Sequence, residues 1–91
     1  MLNQVQLIGH IQDVYQNKSG EWYLDLAVER SFKDYEGHFL TDYLTCKIWK
    51  AVAEFYSRTC HKGQLVGLVG RLSALKGEKL DIECTYIDFL K

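Results

Sequence analysis

The stretch TDYLTCKIWKAVAEFYSRTC, residues 41–60, is the most informative about the fold, because the spacing of its apolar residues changes halfway along it. In the first half apolar and polar side chains alternate, which predicts a strand with Leu44, Cys46 and Ile48 on one face. Residues 50–60 instead carry apolar side chains three and four positions apart, which is the period of a helix. The stretch is therefore predicted to form a strand that leads directly into one short helix.

The opposite face of this strand is neither a good core nor a typical water-facing surface. It carries two large aromatic rings that flank a threonine and a lysine: Tyr43, Thr45, Lys47 and Trp49. An aromatic ring on a strand more often packs in a core or against a neighbouring strand than it binds a ligand. Here the other face already supplies a complete apolar set, so the two rings and the lysine together favour a binding surface.

Alternating segments on both sides of this stretch predict four more strands. They cover roughly residues 5–12, 22–30, 64–72 and 80–90, and polar or glycine-containing connections separate them. In the last of these strands the predicted apolar face consists of Leu80, Ile82, Cys84 and Tyr86.

Glycines and charges mark the expected irregularities. Gly9 predicts a bulge or a close approach of two backbones in the first strand, and Gly67 and Gly70 predict bends or a tight backbone neighbour in the fourth. The helix is expected to end near Lys62 and Gly63, because a basic residue suits the C-terminal end of the helix dipole and glycine suits the left-handed position after it.

Five strands with a single helix between the third and the fourth is the element order of the OB-fold. The chain has 91 residues, which is enough for one such core and too few for two. We therefore predict an all-β protein with one short helix, a five-stranded OB-fold Greek-key barrel that residues 1–91 form as a single domain. A five-stranded barrel of another kind or a small α+β domain would give a similar element order.

The composition is that of a folded protein. Hydrophobic residues make up 47% of the chain and charged residues 25%, as in globular domains. The absence of a membrane-length apolar run and of a leader peptide predicts a cytoplasmic protein with no membrane contact. The three cysteines lie in apolar patterns and not in a metal-type cluster, so we expect reduced, mostly buried thiols and no cofactor or metal.

The net charge of −1 hides an uneven distribution along the chain. Residues 1–46 hold three basic and seven acidic residues, whereas residues 47–79 hold seven basic and two acidic ones. A basic half that begins in the quoted stretch is compatible with contacts to phosphate groups. A solvated surface of mixed charge is an equally good explanation for any one of these lysines.

Four segments resemble the bacterial single-stranded DNA-binding protein family and together run over nearly the whole chain. They are LNQVQLIGHI at 2–11, LDLAVERSF at 24–32, TDYLTCKIWKAVAEFYSRTCHKGQLVGLVGRL at 41–72 and YIDFL at 86–90. The resemblance implies an OB-fold, assembled into homodimers or homotetramers, that binds single-stranded DNA independently of sequence in DNA replication, recombination or repair. It also implies a location in the cytoplasm, with the nucleoid. On that match Phe32, Tyr43 and Trp49 fall where the family stacks nucleotide bases on aromatic rings.

The candidate nucleic-acid-binding residues combine these rings with nearby basic side chains. A stacking platform needs rings on a rigid strand and cations within reach of the adjacent phosphates. The full set is Phe32, Lys33, Tyr43, Lys47, Trp49, Lys50, Arg71 and Lys76. Trp22 is expected in the core or at its rim, and Tyr35 is equally compatible with the platform and with an exposed loop. Arg58 and Lys62 are expected to be ordinary surface or helix-cap residues.

Two features depart from the pattern of typical family members. The connection SALKGEK, residues 73–79, is much shorter than their long basic hairpin and has no aromatic residue, so a fourth stacking position is missing and a small footprint is expected. The chain also ends at Lys91, without the disordered linker and acidic tip through which typical members recruit replication and repair enzymes. Either a truncated protein or a tail-less relative, such as one similar to primosomal replication protein N, would explain this end.

Two functions from other classes compete with DNA binding. An enzyme would need a nucleophile, phosphate-binding or metal motif, but no second cluster accompanies the cysteine–histidine pair Cys60–His61, so we expect no catalytic activity. An OB-fold protein-interaction module of a replication or primosome complex, with weak nucleic-acid binding, fits the near-neutral net charge and the short hairpin.

Overall fold

A computed structural model describes residues 1–90, which form five strands and one helix. The elements are β1 (Val5–Gln16), β2 (Trp22–Lys33), β3 (Phe39–Ile48), α1 (Lys50–Thr59), β4 (Leu65–Ser73) and β5 (Asp81–Phe89). The strands close into a barrel in the order β1-β2-β3-β5-β4, in which β3 and β5 are parallel and all other neighbours are antiparallel. The predicted fold class, an all-β five-stranded barrel with one short helix, is confirmed.

Strand β1 pairs with both β4 and β2, and this pairing closes the barrel. Its residues 5–10 pair with β4 and its residues 10–16 pair with β2, with a bulge between Ile11 and Asp13. At Gly9 a Cβ atom would collide with the carbonyl oxygen of Ala27 on β2. The close backbone approach predicted at Gly9 is therefore confirmed, whereas the bulge itself begins two residues later.

The core draws on all five strands and the helix. The buried hydrophobic residues are Ile11, Leu24, Leu26, Cys46, Ile48, Ala53, Val66, Leu68, Cys84 and Ile87. From α1, Ala53 is buried and Tyr56 packs against this cluster, while Val52 and Phe55 stay exposed. The helix therefore packs on the barrel through fewer residues than the spacing of its apolar side chains predicts.

The helix ends at Thr59, earlier than the sequence predicts. The Cys60 N–H still donates to the Tyr56 carbonyl at 2.8 Å, but Cys60 itself is extended. Gly63 does adopt a left-handed conformation, with φ +87°, yet it lies in the following turn, where its N–H donates to the Ile11 carbonyl at 2.7 Å. The expected end near Lys62 and Gly63 is therefore wrong, because this turn is bonded to β1 and does not cap the helix.

Strand β5 changes its inward face partway along. Ile82 and Cys84 point toward the core as predicted, but Tyr86 is exposed and Ile87 is buried instead. The cause is a shift in the β4–β5 register, in which consecutive residues of β4 face residues 84 and 86 and leave residue 85 unpaired. The predicted apolar face is wrong for Tyr86, and also for Leu80, which precedes the strand and is exposed.

The two glycines of β4 differ. At Gly70 a Cβ atom would overlap the carbonyl oxygen of Glu83, which confirms the tight backbone neighbour. At Gly67 an added Cβ atom would meet only Leu90 Cδ1, at an ordinary contact distance of 3.9 Å, so of the two predicted alternatives the tight backbone neighbour is wrong there.

The three cysteines are all free, as expected. Cys46 and Cys84 are buried and Cys60 is half-buried. Burial raises the pKa of Cys46 to about 12 and that of Cys84 to about 11. Across residues 1–90, no helix is long and apolar enough to span a membrane.

Candidate nucleic-acid interface

The outer face of β3 has the alternation that the sequence predicts. Cys46 and Ile48 are buried, whereas the Tyr43 and Trp49 side chains are 74% and 68% exposed. Trp49 follows the last strand residue and is the N-terminal cap of α1, with an extended backbone at φ −70° and ψ 137°. It therefore continues the alternation of β3, and both rings belong to one face with Lys47 between them.

A second group of aromatic residues lies at the far end of the β2–β3 hairpin. Phe32 is 66% exposed there, and the Lys33 ammonium lies 5.4 Å from the ring centre of Phe39, a cation–π contact. Phe39 lies an even number of residues from Tyr43 and therefore on the same outer face of β3. The strand predicted from the sequence begins only at residue 41, so Phe39 was not among the predicted binding residues. Tyr35, at the hairpin tip, is fully exposed.

A carboxylate of β2, Asp25, lies beside Thr45, the residue between Tyr43 and Lys47 on the outer face of β3. Asp25 pairs with Thr45 across the β2–β3 ladder, and its Oδ1 accepts hydrogen bonds from Thr45 Oγ1 at 2.9 Å and from the Tyr15 hydroxyl at 3.3 Å. Desolvation and the neighbouring Asp25 charge raise the pKa of Tyr15. The alternation of residues within β3 could not predict this carboxylate near Tyr43 and Lys47, because Asp25 belongs to the neighbouring strand.

Two of the five predicted cations already have acidic partners. Lys47 Nζ lies 2.6 Å from Glu21 Oε2, and the Arg71 guanidinium donates to Glu83 Oε1 at 2.8 Å. The hydrogen bond to Glu21 is the main reason why the pKa of Lys47 is raised. A third ion pair joins Arg30 of β2 to Asp42 of β3, with a contact of 2.9 Å, and the sequence did not predict it. Within residues 1–90, the other predicted cations, Lys33, Lys50 and Lys76, have no ion-pair partner.

Three of the predicted residues come together in one cleft at the end of β3. This cleft of about 370 Å³ is lined by Gly20, Glu21, Trp22, Lys47, Ile48, Trp49, Lys50 and Glu83. Trp22 also packs against the core, so its expected place at the core rim is confirmed. Arg71 is linked to the cleft through Glu83, whereas Lys76 lies in the β4–β5 connection and does not line it.

No group of three His, Cys, Asp or Glu side chains within residues 1–90 is arranged to hold a metal ion. Exposed rings and ammonium groups beside a cleft can instead stack on flat ligands and contact anions.

Comparisons with known proteins point to one family. Residues 2–83 match the model of the single-strand binding protein family. The chain is 39% identical over 77 residues to single-stranded DNA-binding protein B of Bacillus subtilis (strain 168), and the aligned region covers 79% of this chain and 68% of that protein. It is 33% identical over 92 residues to single-stranded DNA-binding protein 1 of Streptococcus pyogenes serotype M18 (strain MGAS8232), with 96% and 71% covered.

Solved structures share the fold. A small single-stranded DNA binding protein from Mycoplasma pneumoniae superposes with a TM-score of 0.72 at 24% identity, over 100% of this chain and 97% of that one. The wild-type single-stranded DNA binding protein from Thermus aquaticus gives a TM-score of 0.67 at 27% identity, over 99% of this chain. This chain spans 50% of the length of that protein.

Proposed function

Because the chain belongs to the single-strand binding protein family, we propose that it binds single-stranded DNA without sequence preference. Bases stack on the exposed rings of Tyr43 in β3 and of Trp49 directly after it, and basic side chains beside them contact the phosphates. The observation that carries the proposal is the pair of exposed rings Tyr43 and Trp49, which lie on one strand face with Lys47 between them.

The physical case rests on what unpaired bases offer to a protein. Every base has a π-face, so stacking on rigid aromatic side chains tolerates any sequence and contributes roughly 1–3 kcal/mol per base. A base paired inside a duplex does not expose this face, so the proposal predicts a preference for single strands. The binding residues are those proposed from the sequence, and Phe39 joins them because its ring shares their outward phase.

We also propose a role without catalysis. The protein acts in DNA replication, recombination or repair, in the cytoplasm with the nucleoid, as one domain that needs no cofactor and meets other replication or repair proteins there. The family membership supports a binding role.

Self-association completes the proposal, and a homodimer or homotetramer is the expected state. Within residues 1–90, the 5–8 segment of β1 has a ladder partner only on its β4 side, so the other edge is open to a second copy. On the outer surface next to it, Ile8 is 64% exposed and lies with Gly67 and Leu90 around a shallow pocket. An apolar, half-open strand of this kind supports pairing with its own copy.

One competing function keeps a specific observation in its favour. Because Lys47 and Arg71 already pair with carboxylates, the exposed rings could bind a partner protein instead of DNA. Salt distinguishes the two, since displacement of counterions from phosphates gives a steep loss of affinity with rising salt and an apolar protein contact does not.

A fluorescence titration tests the proposal. Oligothymidine should bind more tightly than a duplex of equal length, and the affinity should fall between low and moderate salt. Tyr43→Ala should weaken binding, whereas Phe55→Ala, which removes an exposed ring from α1 and not from the β3 face, should not. Equal affinity for duplex and single strand, or no salt dependence, would contradict DNA binding by stacking.

A further inference from the structure

Charged side chains of alternating sign form a row across the outer surface of the barrel. Lys47 on β3 lies opposite Glu83 on the parallel strand β5, and Glu83 lies opposite Arg71 on β4. Glu21, just before β2, reaches Lys47 from the other side. The row Glu21, Lys47, Glu83, Arg71 thus crosses three strands next to the cleft that contains Trp49.

Each cation in this row is occupied by a carboxylate. The Lys47–Glu21 pair has its charged atoms 2.6 Å apart, with side chains 39% and 42% exposed, and the Arg71–Glu83 pair has a 2.8 Å contact, with side chains 52% and 28% exposed. Glu21 and Glu83 both line the cleft. A phosphate that approaches Lys47 or Arg71 there meets a negative group already in place.

We propose that Glu21 and Glu83 are intramolecular competitors of the DNA backbone, which hold Lys47 and Arg71 in the free protein and must be replaced when DNA enters the cleft. The inference rests on the proposed function and deepens it, because it names the side chains that limit affinity at that site.

The size of the effect follows from the exposure of the pairs. A solvent-exposed ion pair shifts an equilibrium by only about 1.5- to 5-fold, so DNA can open it. The released carboxylate then remains near the phosphate and repels it. Removal of the negative charge abolishes both the cost of opening the ion pair and the repulsion between carboxylate and phosphate, so the affinity for DNA rises.

Neutralisation of each carboxylate tests the proposal directly. Glu21→Gln and Glu83→Gln keep the side-chain shape and should each tighten oligothymidine binding by about 2- to 5-fold at low salt. Glu54→Gln is the matched control: Glu54 is exposed on α1, outside the cleft, so its change alters the net charge equally without freeing a cation. An equal gain in affinity in all three variants would mean that only the net charge matters, and this would overturn the proposal.

A double-mutant cycle separates competition from a structural role. Lys47→Ala should cost more affinity in the Glu21→Gln background than in the wild type, because the free lysine makes its phosphate contact without first giving up a partner. The difference should be about 1.5- to 5-fold. Additive effects, or weaker binding by a folded Glu21→Gln variant, would overturn the competition while DNA binding stands. If neither the wild type nor any variant binds oligothymidine, the proposed function fails and the competition fails with it.

Discussion

Gly70 packs directly against the backbone carbonyl of Glu83, and no side chain fits between β4 and β5 at that point. Gly9 stands in the same relationship to the Ala27 carbonyl, where β1 passes from one neighbour to the other. Both contacts are with backbone atoms, which cannot rotate away as a side chain can. The barrel therefore depends on glycine at these two positions for steric reasons.

Alanine at either position should destabilise the barrel. We expect Gly70→Ala and Gly9→Ala each to lower the free energy of unfolding by about 1–3 kcal/mol, the usual cost of forced overpacking, as measured by urea denaturation. Gly67→Ala is the control, because its Cβ would meet only Leu90 Cδ1 at 3.9 Å. The same loss at Gly67 as at Gly70 would contradict the steric explanation.

Tryptophan emission should report on the proposed DNA-binding face. Trp49 is 68% exposed beside the cleft and stacks in our proposal, whereas Trp22 packs against the core. Oligothymidine should therefore quench the emission of Trp49, and Trp49→Phe should remove most of the quenching. Because a ring remains, this variant should lose much less affinity than Trp49→Ala, for which we expect a loss of about 1–3 kcal/mol.

Circular dichroism is the control for this experiment. If Trp49→Phe keeps its fold and oligothymidine still quenches the remaining tryptophan as strongly as in the wild type, the assignment of the stacking face to β3 is wrong.

Lys50 should contribute to the salt dependence of binding. It begins α1 at the cleft, and within residues 1–90 it has no acidic partner. Lys50→Ala should reduce the slope of log affinity against log salt by about 0.7, as expected for one lost phosphate contact on a single strand. Lys62→Ala, in the turn after the helix, should leave the slope unchanged. Equal slopes for the two variants would place Lys50 outside the DNA path.

Local periodicity predicted the parts of this fold that depend on one strand at a time. The alternation around Tyr43 and Trp49 was sufficient to place both rings outward, because side-chain direction on a strand is a local property. The inward face of β5 could not be predicted in the same way, since the bulge that exposes Tyr86 arises from the register against β4.

Contacts between strands limited the prediction of the site as well. The partners of Lys47 and Arg71 come from other elements, and no spacing within a strand identifies Glu21 or Glu83 as their neighbours. Candidate cations could therefore be named from the sequence, but their pairing required the barrel.

Self-association should depend on the exposed end of β1. In our proposal Ile8 is buried when a second copy pairs with this strand, so Ile8→Asp should yield a smaller species by light scattering at micromolar concentration. Leu75→Asp is the control, because Leu75 is similarly exposed, at 69% against 64%, but lies in the β4–β5 connection. A monomeric wild type, or an Ile8→Asp variant of unchanged mass, would contradict the proposed interface.

The buried thiols should make stability depend on alkaline pH. Burial raises the pKa of Cys46 to about 12 and that of Cys84 to about 11, from 9.0. Above pH 9 the unfolded chain therefore releases protons that the folded protein keeps, so the free energy of unfolding falls as pH rises. Each thiol contributes about 1.4 kcal/mol per pH unit between its two pKa values.

Replacement of both thiols should flatten this dependence. Cys46→Ala with Cys84→Ala lowers stability at neutral pH through lost packing, but its free energy of unfolding should decline less steeply than that of the wild type between about pH 9 and 11. Denaturant titrations across this range measure the two slopes, and the tyrosines common to both proteins cancel in the comparison. Cys60→Ala, at a half-buried thiol, should flatten the slope less. Equal slopes for the wild type and the double variant would mean that these thiols ionise in the folded protein as readily as in the unfolded chain.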